Sequence, residues 1–280
     1  AYEVMPSLVG SEMCIRDRAY TSVVGDGGVT VARALEVPVT SGDSYTVAVA
    51  VDTLLEAGRA VGILPERATA AVVGATGAIG SACARLLAFQ VARLVLVGRR
   101  EGALRRVAEA ARAATGAEVT TATDVARIAQ ADLVVTATSA GRPIIFPHHL
   151  KPGAVVCDVA LPHDVSPRVV EERKDVLVVD GGRVAVPGPV DFGFDYGLPP
   201  GLTFGCMAET MALTLEGRFE EYTVGKDLSL EKVMEIRRIA ERHGFRPAPL
   251  LSFNQPVAEG RIQAVRNARR PVRSDTEVAR

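Results

Sequence analysis

Short apolar runs recur along the chain at 68–73, 94–97, 131–139, 154–159 and 176–180, most of them ending at glycine, hydroxyl or carboxylate residues. Runs this short and this continuous suit strands buried on both faces, as in a parallel sheet. Between them the spacing turns helical, over 81–89 and over the Ala/Arg-rich 101–115, with Gly116 as a C-terminal cap. A short strand at 119–121 and a short helix at 124–130 complete the alternation. Strand and helix taking turns in this way predict a doubly wound parallel α/β sheet. Upstream, 45–61 has the apolar spacing of a mostly buried helix, and Thr40, Ser41 and Ser44 stand where caps are expected. Past Pro199-Pro200-Gly201 the pattern predicts helices over 204–219 and 230–243, the second stopped by Gly244. From Arg261 the chain is rich in arginine and poor in apolar residues, so 251–280 reads as a tail without fixed structure.

The run at 68–73 stops in Gly74-Ala75-Thr76-Gly77-Ala78-Ile79-Gly80-Ser81, three glycines spaced by two residues each between a strand and a helix. Glycine there lets the backbone turn without a Cβ and lets a pyrophosphate reach the N–H groups of the helix start. The strand–turn–helix–strand context makes this a dinucleotide site, with Gly74, Thr76, Gly77, Ala78, Ile79 and Gly80 as its cofactor contacts. After the second strand, where many NAD-binding proteins carry an acidic residue for the ribose 2′-hydroxyl, this chain has Gly98-Arg99-Arg100. Two guanidinium groups favour a 2′-phosphate, hence NADP(H) over NAD. Ligands of such sheets lie at the carboxyl ends of the strands, which adds Thr138, Ser139, Asp180 and Gly181 to the candidate contacts.

Composition narrows the rest. With 280 residues, 48% of them hydrophobic and 23% charged, the chain can bury a normal core. A net charge of −1 gives no global pull toward nucleic acid or an anionic membrane, and no apolar run reaches the ~18 residues of a membrane span. Four cysteines without a spacing pattern point to a reducing cytoplasm. Residues 7–18 resemble the translated read-through of a sequencing adapter, so 1–19 are expected to be non-native, with an upstream portion missing. The remaining division is 20–64 as the end of an upstream substrate region with a linking helix, 65–200 as the dinucleotide-binding domain, 201–250 as C-terminal helices, and 251–280 as the tail.

Cys206, in Gly205-Cys206-Met207-Ala208-Glu209, falls in the first turn of a predicted helix just after a Pro/Gly loop. A helix start lowers a thiol pKa, and a thiolate beside a hydride donor suits capture of an acyl group as a thioester and its reduction to an aldehyde. Cys83 and Cys157 fall inside a core helix and strand and read as structural. Thr40, Ser41 and Ser44 are either caps or hydroxyls facing the nicotinamide or acyl carbonyl. His163 is read as a solvated loop residue ahead of an acid or base, and Glu209 as a satisfied polar residue. His148 and His149 lack metal-ligand spacing, and no metal site is expected. Tyr222 and Lys226 have the Tyr-x-x-x-Lys form of short-chain dehydrogenases, but Gly225 and Asp227 interrupt the helix that pair requires.

Four segments taken together, Thr40-Ser41-Gly42-Asp43-Ser44-Tyr45-Thr46, 72–81, Phe204-Gly205-Cys206-Met207-Ala208-Glu209 and Arg242-His243-Gly244-Phe245-Arg246-Pro247, resemble the long-chain acyl-[acyl-carrier-protein] reductases in order and separation. The resemblance covers about residues 23–247. It implies that Cys206 takes a fatty acyl group from acyl carrier protein or acyl coenzyme A, and that NADPH reduces the thioester to a fatty aldehyde. The chain departs from the family at Gly205 and Met207, where alanine and an aromatic are usual, and in lacking most of the upstream acyl-binding region. Two other functions are left open by the residues: a shikimate-dehydrogenase-like or amino-acid NADP dehydrogenase, which needs no thiol, and a non-catalytic NADP-binding protein.

Overall fold

Alternation with a period of two builds the sheet and decides which residues face which side. In the computed structural model, residues 26–193, 195 and 197–269 are described. The expected read-through at 1–19 and the last part of the expected tail lie outside the described residues. The elements run α1 (Val29–Ala34), α2 (Asp43–Ala60), β1 (Thr69–Val73), α3 (Ala78–Leu87), β2 (Arg93–Val97), α4 (Glu101–Thr115) and β3 (Glu118–Ala122). They continue with β4 (Leu133–Thr136), β5 (Val155–Asp158), α5 (Pro167–Glu172), β6 (Leu177–Asp180), β7 (Arg183–Ala185), β8 (Leu202–Phe204) and α6 (Gly205–Leu215). Last come α7 (Leu230–Arg242), β9 (Arg246–Pro247), β10 (Leu251–Ser252), β11 (Gln255–Pro256) and α8 (Glu259–Ala268).

Strands β1 to β6 form one parallel sheet in the order 3-2-1-4-5-6, the doubly wound topology that the strand and helix rhythm predicts. Its central strands are buried along their whole length, because both faces are covered. Ala70, Val72, Leu94, Leu96, Leu133, Val135, Val155, Cys157, Leu177 and Val179 turn to one face, where α2, α3, α4, α6 and α7 pack. Ala71, Val73, Val95, Val97, Val134, Val156 and Val178 turn to the other, against Ile128, Ile145, Leu150, Val165 and Val169. Helix α4 stops at Gly116 in the left-handed conformation (φ 70°), as its sequence requires. The 124–130 segment is a 3-10 turn, opened by the Asp124 carboxylate accepting from Ala126 N at 2.9 Å.

Helix α2 lies on the sheet itself, packed against β4, β5 and β6 and crossed by α6 and α7. Its N-cap is Gly42 in the left-handed region (φ 74°), with no side-chain cap, so Thr40, Ser41 and Ser44 do not play that part.

The expected tail is largely folded. Residues 251–256 form a hairpin and Glu259–Ala268 a helix, both beside edge strand β6. The described arginines there are bonded to the protein: Arg261 donates to the Arg173 and Val170 carbonyls at 2.8 and 2.9 Å, Arg266 to Ala60 O, and Arg269 to Gly153 O at 3.0 Å. A guanidinium that caps helix ends and loop carbonyls looks, in the sequence, the same as one in water.

Candidate functional site

The turn after β1 is built by close backbone approach. Gly74 has φ 82°, its N–H donates to Val97 O at 2.9 Å, and a Cβ on it would lie 2.4 Å from Ala137 O. A Cβ on Gly80 would lie 2.2 Å from Gly74 O. The first and third glycines therefore let the chain pack on itself. Gly77 differs: it is exposed, and the nearest atom to a Cβ there is Gly74 O at 3.4 Å. The space before it is open. As N-cap of α3 it brings no side chain to the helix start formed by Ala78, Ile79 and Gly80, which suits a phosphate approaching the N–H groups. Thr76 and Gly98 sit side by side at the end of β2, and Arg99 and Arg100 follow, both exposed. Glycine cradle and guanidinium pair thus stand together at the carboxyl end of β1 and β2, and the residues present fit a dinucleotide.

At the ends of β4, β5 and β6 three buried aspartates organise the loops. Asp164 accepts from Thr136 Oγ1 at 2.6 Å and from Thr138 N and Oγ1 at 3.0 and 2.5 Å. Burial raises its pKa, and these bonds hold the rise back. Thr138 is thereby fixed against Gly74, and the following Ser139 is exposed. Asp158 accepts from Ala160 N and Val165 N at 3.0 and 2.9 Å. Asp180 accepts from Phe253 N and Asn254 N at 3.0 and 2.6 Å, so it grips the C-terminal hairpin.

Asp180 and Gly181, expected as substrate or nicotinamide contacts, are thus committed elsewhere. Gly181 is buried where a Cβ would fall 2.8 Å from Cys157 Sγ. His163 also departs from expectation. It is not a solvated loop residue but lies largely buried, with Nδ1 3.3 Å from Asp158 Oδ2, though not aligned for a hydrogen bond, and Nε2 3.9 Å from Asp180 Oδ1. Its ring packs 4.6 Å from that of Phe253.

Cys206 stands in the first turn of α6, beyond the end of β6, where Gly205 N–H donates to Gly182 O at 2.9 Å. The starts of α2 and α6 press together: a Cβ on Gly42 would lie 2.1 Å from Cys206 Cα, and one on Gly205 would lie 2.9 Å from Thr46 Cα. Only glycine fits either place. Among the described cysteines, Cys206 alone reaches solvent. Burial pushes the Cys83 thiol up to about 12 and that of Cys157 well above its usual range, so both are inert.

One turn along α6, fully buried Glu209 accepts from Thr40 Oγ1, Thr223 Oγ1 (2.7 Å) and Tyr45 N (2.8 Å). It is a satisfied polar residue, as expected, with its pKa raised by burial. Ser44 Oγ lies 2.8 Å from Thr223 Oγ1 and donates to it, since the Thr223 proton goes to Glu209. Ser41 Oγ is buried beside the Asp43 carboxyl without a well-formed hydrogen bond. Thr40 and Ser44 are therefore spent on joining α2, α6 and the 222–223 loop. Tyr222 donates to Glu235 Oε2 at 2.9 Å from outside any helix, and Lys226 is exposed, so this pair is no dehydrogenase dyad.

One charged residue at this place was missed by sequence reasoning. Arg183, on β7 opposite Phe204, is buried, with its guanidinium 4.8 Å from the Phe204 ring centroid. A single arginine after two glycines carries no signal in the sequence.

A family model described as shikimate / quinate 5-dehydrogenase matches residues 58–181, from the end of α2 to Gly181. Aminotransferase PigE of Serratia sp. is 37% identical over 254 residues, 87% of this chain and 29% of that protein. A long-chain acyl-[acyl-carrier-protein] reductase of Synechococcus elongatus is 30% identical over 219 residues, 75% of this chain and 62% of that protein. The chain therefore spans under two thirds of the length of either relative. A quinate dehydrogenase of Corynebacterium glutamicum superposes with a TM-score of 0.37 at 22% identity, over 48% of this chain and 50% of that one. The sheet order and the matched family model make this an NAD(P)-binding domain of the oxidoreductase type, with a Rossmann-like fold. No helix among the described residues is long and apolar enough to cross a membrane.

Proposed function

We propose that the chain is an NADPH-dependent reductase of fatty acyl thioesters, with Cys206 as its nucleophile and acyl carrier protein or acyl coenzyme A as the donor. The observation that carries this reading is the partial exposure of Cys206, alone among the described cysteines, in the first turn of α6 at the sheet end that also holds the glycine turn. The similarity to an acyl-[acyl-carrier-protein] reductase over 75% of the chain supports it.

In this mechanism the Cys206 thiolate attacks the acyl carbonyl carbon, a new C–S bond forms, and the carrier thiolate leaves and takes a proton. The acyl group then sits on Cys206 as a thioester. NADPH, when bound, would supply a hydride to that carbonyl carbon. Collapse of the resulting thiohemiacetal breaks the Cys206 C–S bond, releasing aldehyde and returning the thiolate. Gly74, Thr76, Gly77, Ala78, Ile79 and Gly80 would hold the pyrophosphate, Arg99 and Arg100 would bind the 2′-phosphate, and Thr138 and Ser139 would complete the cofactor contacts. The test is intact mass after incubation with a long-chain acyl coenzyme A, with and without NADPH. A single acyl adduct, discharged by NADPH as aldehyde and absent in Cys206→Ser, is expected. Absence of an adduct from the unaltered chain, or turnover retained in Cys206→Ser, overturns the reading.

A second reading is favoured by one observation: the matched dehydrogenase model ends at Gly181, before Cys206. A thiol-independent dehydrogenase would use the groups at the ends of β4 to β6, with His163 between Asp158 and Asp180 as its acid or base. Its NADPH oxidation would persist after alkylation of Cys206.

A further inference from the structure

Buried guanidinium groups are as a rule ion-paired, because an uncompensated charge in the interior is costly. Arg183 breaks that rule. It is only 4% exposed, yet among the described residues no carboxylate oxygen comes within ion-pair distance. One hydrogen bond, from Nη1 to Gly181 O at 3.0 Å, engages it, and its Nε–H is buried with no acceptor. The two nearby carboxylates are otherwise occupied. Asp158 receives Ala160 N and Val165 N, and Asp180 receives Phe253 N and Asn254 N. Among the described residues no carboxylate neutralises the guanidinium at contact distance, although Asp180 and Asp158 act on it from farther away.

Its position decides what that charge acts on. Arg183 pairs with Phe204 across β7 and β8, lies over the Phe204 ring, and follows Gly182, whose carbonyl accepts Gly205 N–H. The next residue is Cys206. Burial lowers the Arg183 pKa, and the carboxylates of Asp180 and Asp158 and, more weakly, a Cys206 thiolate oppose that fall, so thiol and guanidinium lie within electrostatic reach of each other. Among the described residues, carboxyls at the starts of α2 and α6 also stand near Cys206, and burial works against their charge. Asp43, at the start of α2, is pushed up to about 7 by burial and then by Glu209, and Glu209 on α6 is itself raised by burial. His163 lies 3.3 Å from Asp158 and 3.9 Å from Asp180, and these two carboxylates act on Arg183 more strongly than Cys206 does.

We propose that Arg183 is a positioning residue that holds Cys206 as a thiolate, acting with the start of α6 as the fixed positive charge at the nucleophile. This deepens the acyl-thioester reading and rests on it, but it is read without any substrate. The pH dependence of iodoacetamide alkylation at Cys206, followed peptide by peptide so that Cys14 does not interfere, gives the thiol's titration midpoint. In the unaltered chain a midpoint clearly below the ordinary thiol value of about 8.5 is expected. Arg183→Gln should raise it by about one unit or more, roughly a tenfold loss of thiolate at pH 7, and Arg183→Lys should restore most of the shift. Thermal melts of each variant show whether the fold is kept. A midpoint at or above about 8.5 in the unaltered chain overturns the proposal even if Arg183→Gln does not fold. So does an unmoved midpoint in a folded Arg183→Gln, or a lysine variant that behaves like the glutamine one. Failure of acyl transfer with a low thiol midpoint would overturn the acyl-thioester reading alone.

Discussion

Single glycines in this chain have two separate physical duties, and the distances tell them apart. At Gly80 an added Cβ meets the Gly74 carbonyl at 2.2 Å, a backbone atom that cannot swing away. Gly80→Ala must therefore shift α3 against β1, and an overpacking cost of about 1–3 kcal/mol is expected. At Gly77 the backbone is extended (φ −80°, ψ 168°), a conformation alanine adopts freely, and nothing of the protein lies closer than 3.4 Å. Gly77→Ala should melt within a few degrees of the unaltered chain yet lose NADPH affinity by about tenfold or more, because its methyl group occupies the pyrophosphate's approach. Melting curves with and without NADPH check both. Equal destabilisation by the two substitutions, or unchanged NADPH binding in Gly77→Ala, would remove the distinction. This much was legible in the sequence, since a turn made of neighbouring residues is written in neighbouring residues. Arg183 was not, because its meaning comes from Phe204 and Cys206, which only the β7–β8 pairing brings beside it.

The same division holds for whole elements. Strands β1, β2, β4, β5 and β6 were readable because burial on both faces leaves an unbroken apolar run, and α4 because Gly116 ends it. The crossing of α2 and α6 was not readable: Glu209 bonds Thr40 across 169 positions and Tyr45 across 164. That crossing carries a pH dependence. Asp43 is almost wholly buried there and its pKa is pushed up from the usual carboxylate range to about 7, by burial first and by Glu209 second. In the window between about pH 4 and 7 the folded chain keeps a proton that the unfolded chain releases, so this group's stabilising contribution is full below the unfolded value and is lost as pH rises through about 7. Asp43→Asn keeps the shape and removes the titration. The melting temperature of Asp43→Asn relative to the unaltered chain should rise across that window and level off above it. A difference independent of pH would show that Asp43 is not held protonated by the fold.

At the scale of the molecule, the segment after α7 closes the structure around β6. An uncovered edge strand would offer unpaired backbone groups to other chains. Here β9 joins β7, the 251–256 hairpin lies along β6, and α8 anchors through Val265 in the core and through arginines on carbonyls of α2, α5 and the loop before β5. The link between this strap and the site is Asp180. Its two carboxylate oxygens hold the consecutive N–H groups of Phe253 and Asn254, residues that sit at φ 50° and 60°, a conformation side chains other than glycine seldom adopt. The carboxylate offsets the cost of that turn, and the turn in exchange sets the Phe253 ring against His163. Asp180→Asn replaces one acceptor with a donor facing an N–H. A loss of about 1–3 kcal/mol is expected, and it should fall on the strap before the sheet. Hydrogen exchange should accelerate across 246–269 while β1, β2 and β4 stay protected, and the rate of Cys206 alkylation should change little, since Arg183 is left in place. Uniform loss of protection would mean that strap and sheet open together, and unchanged protection would mean that α8, not Asp180, holds the strap down.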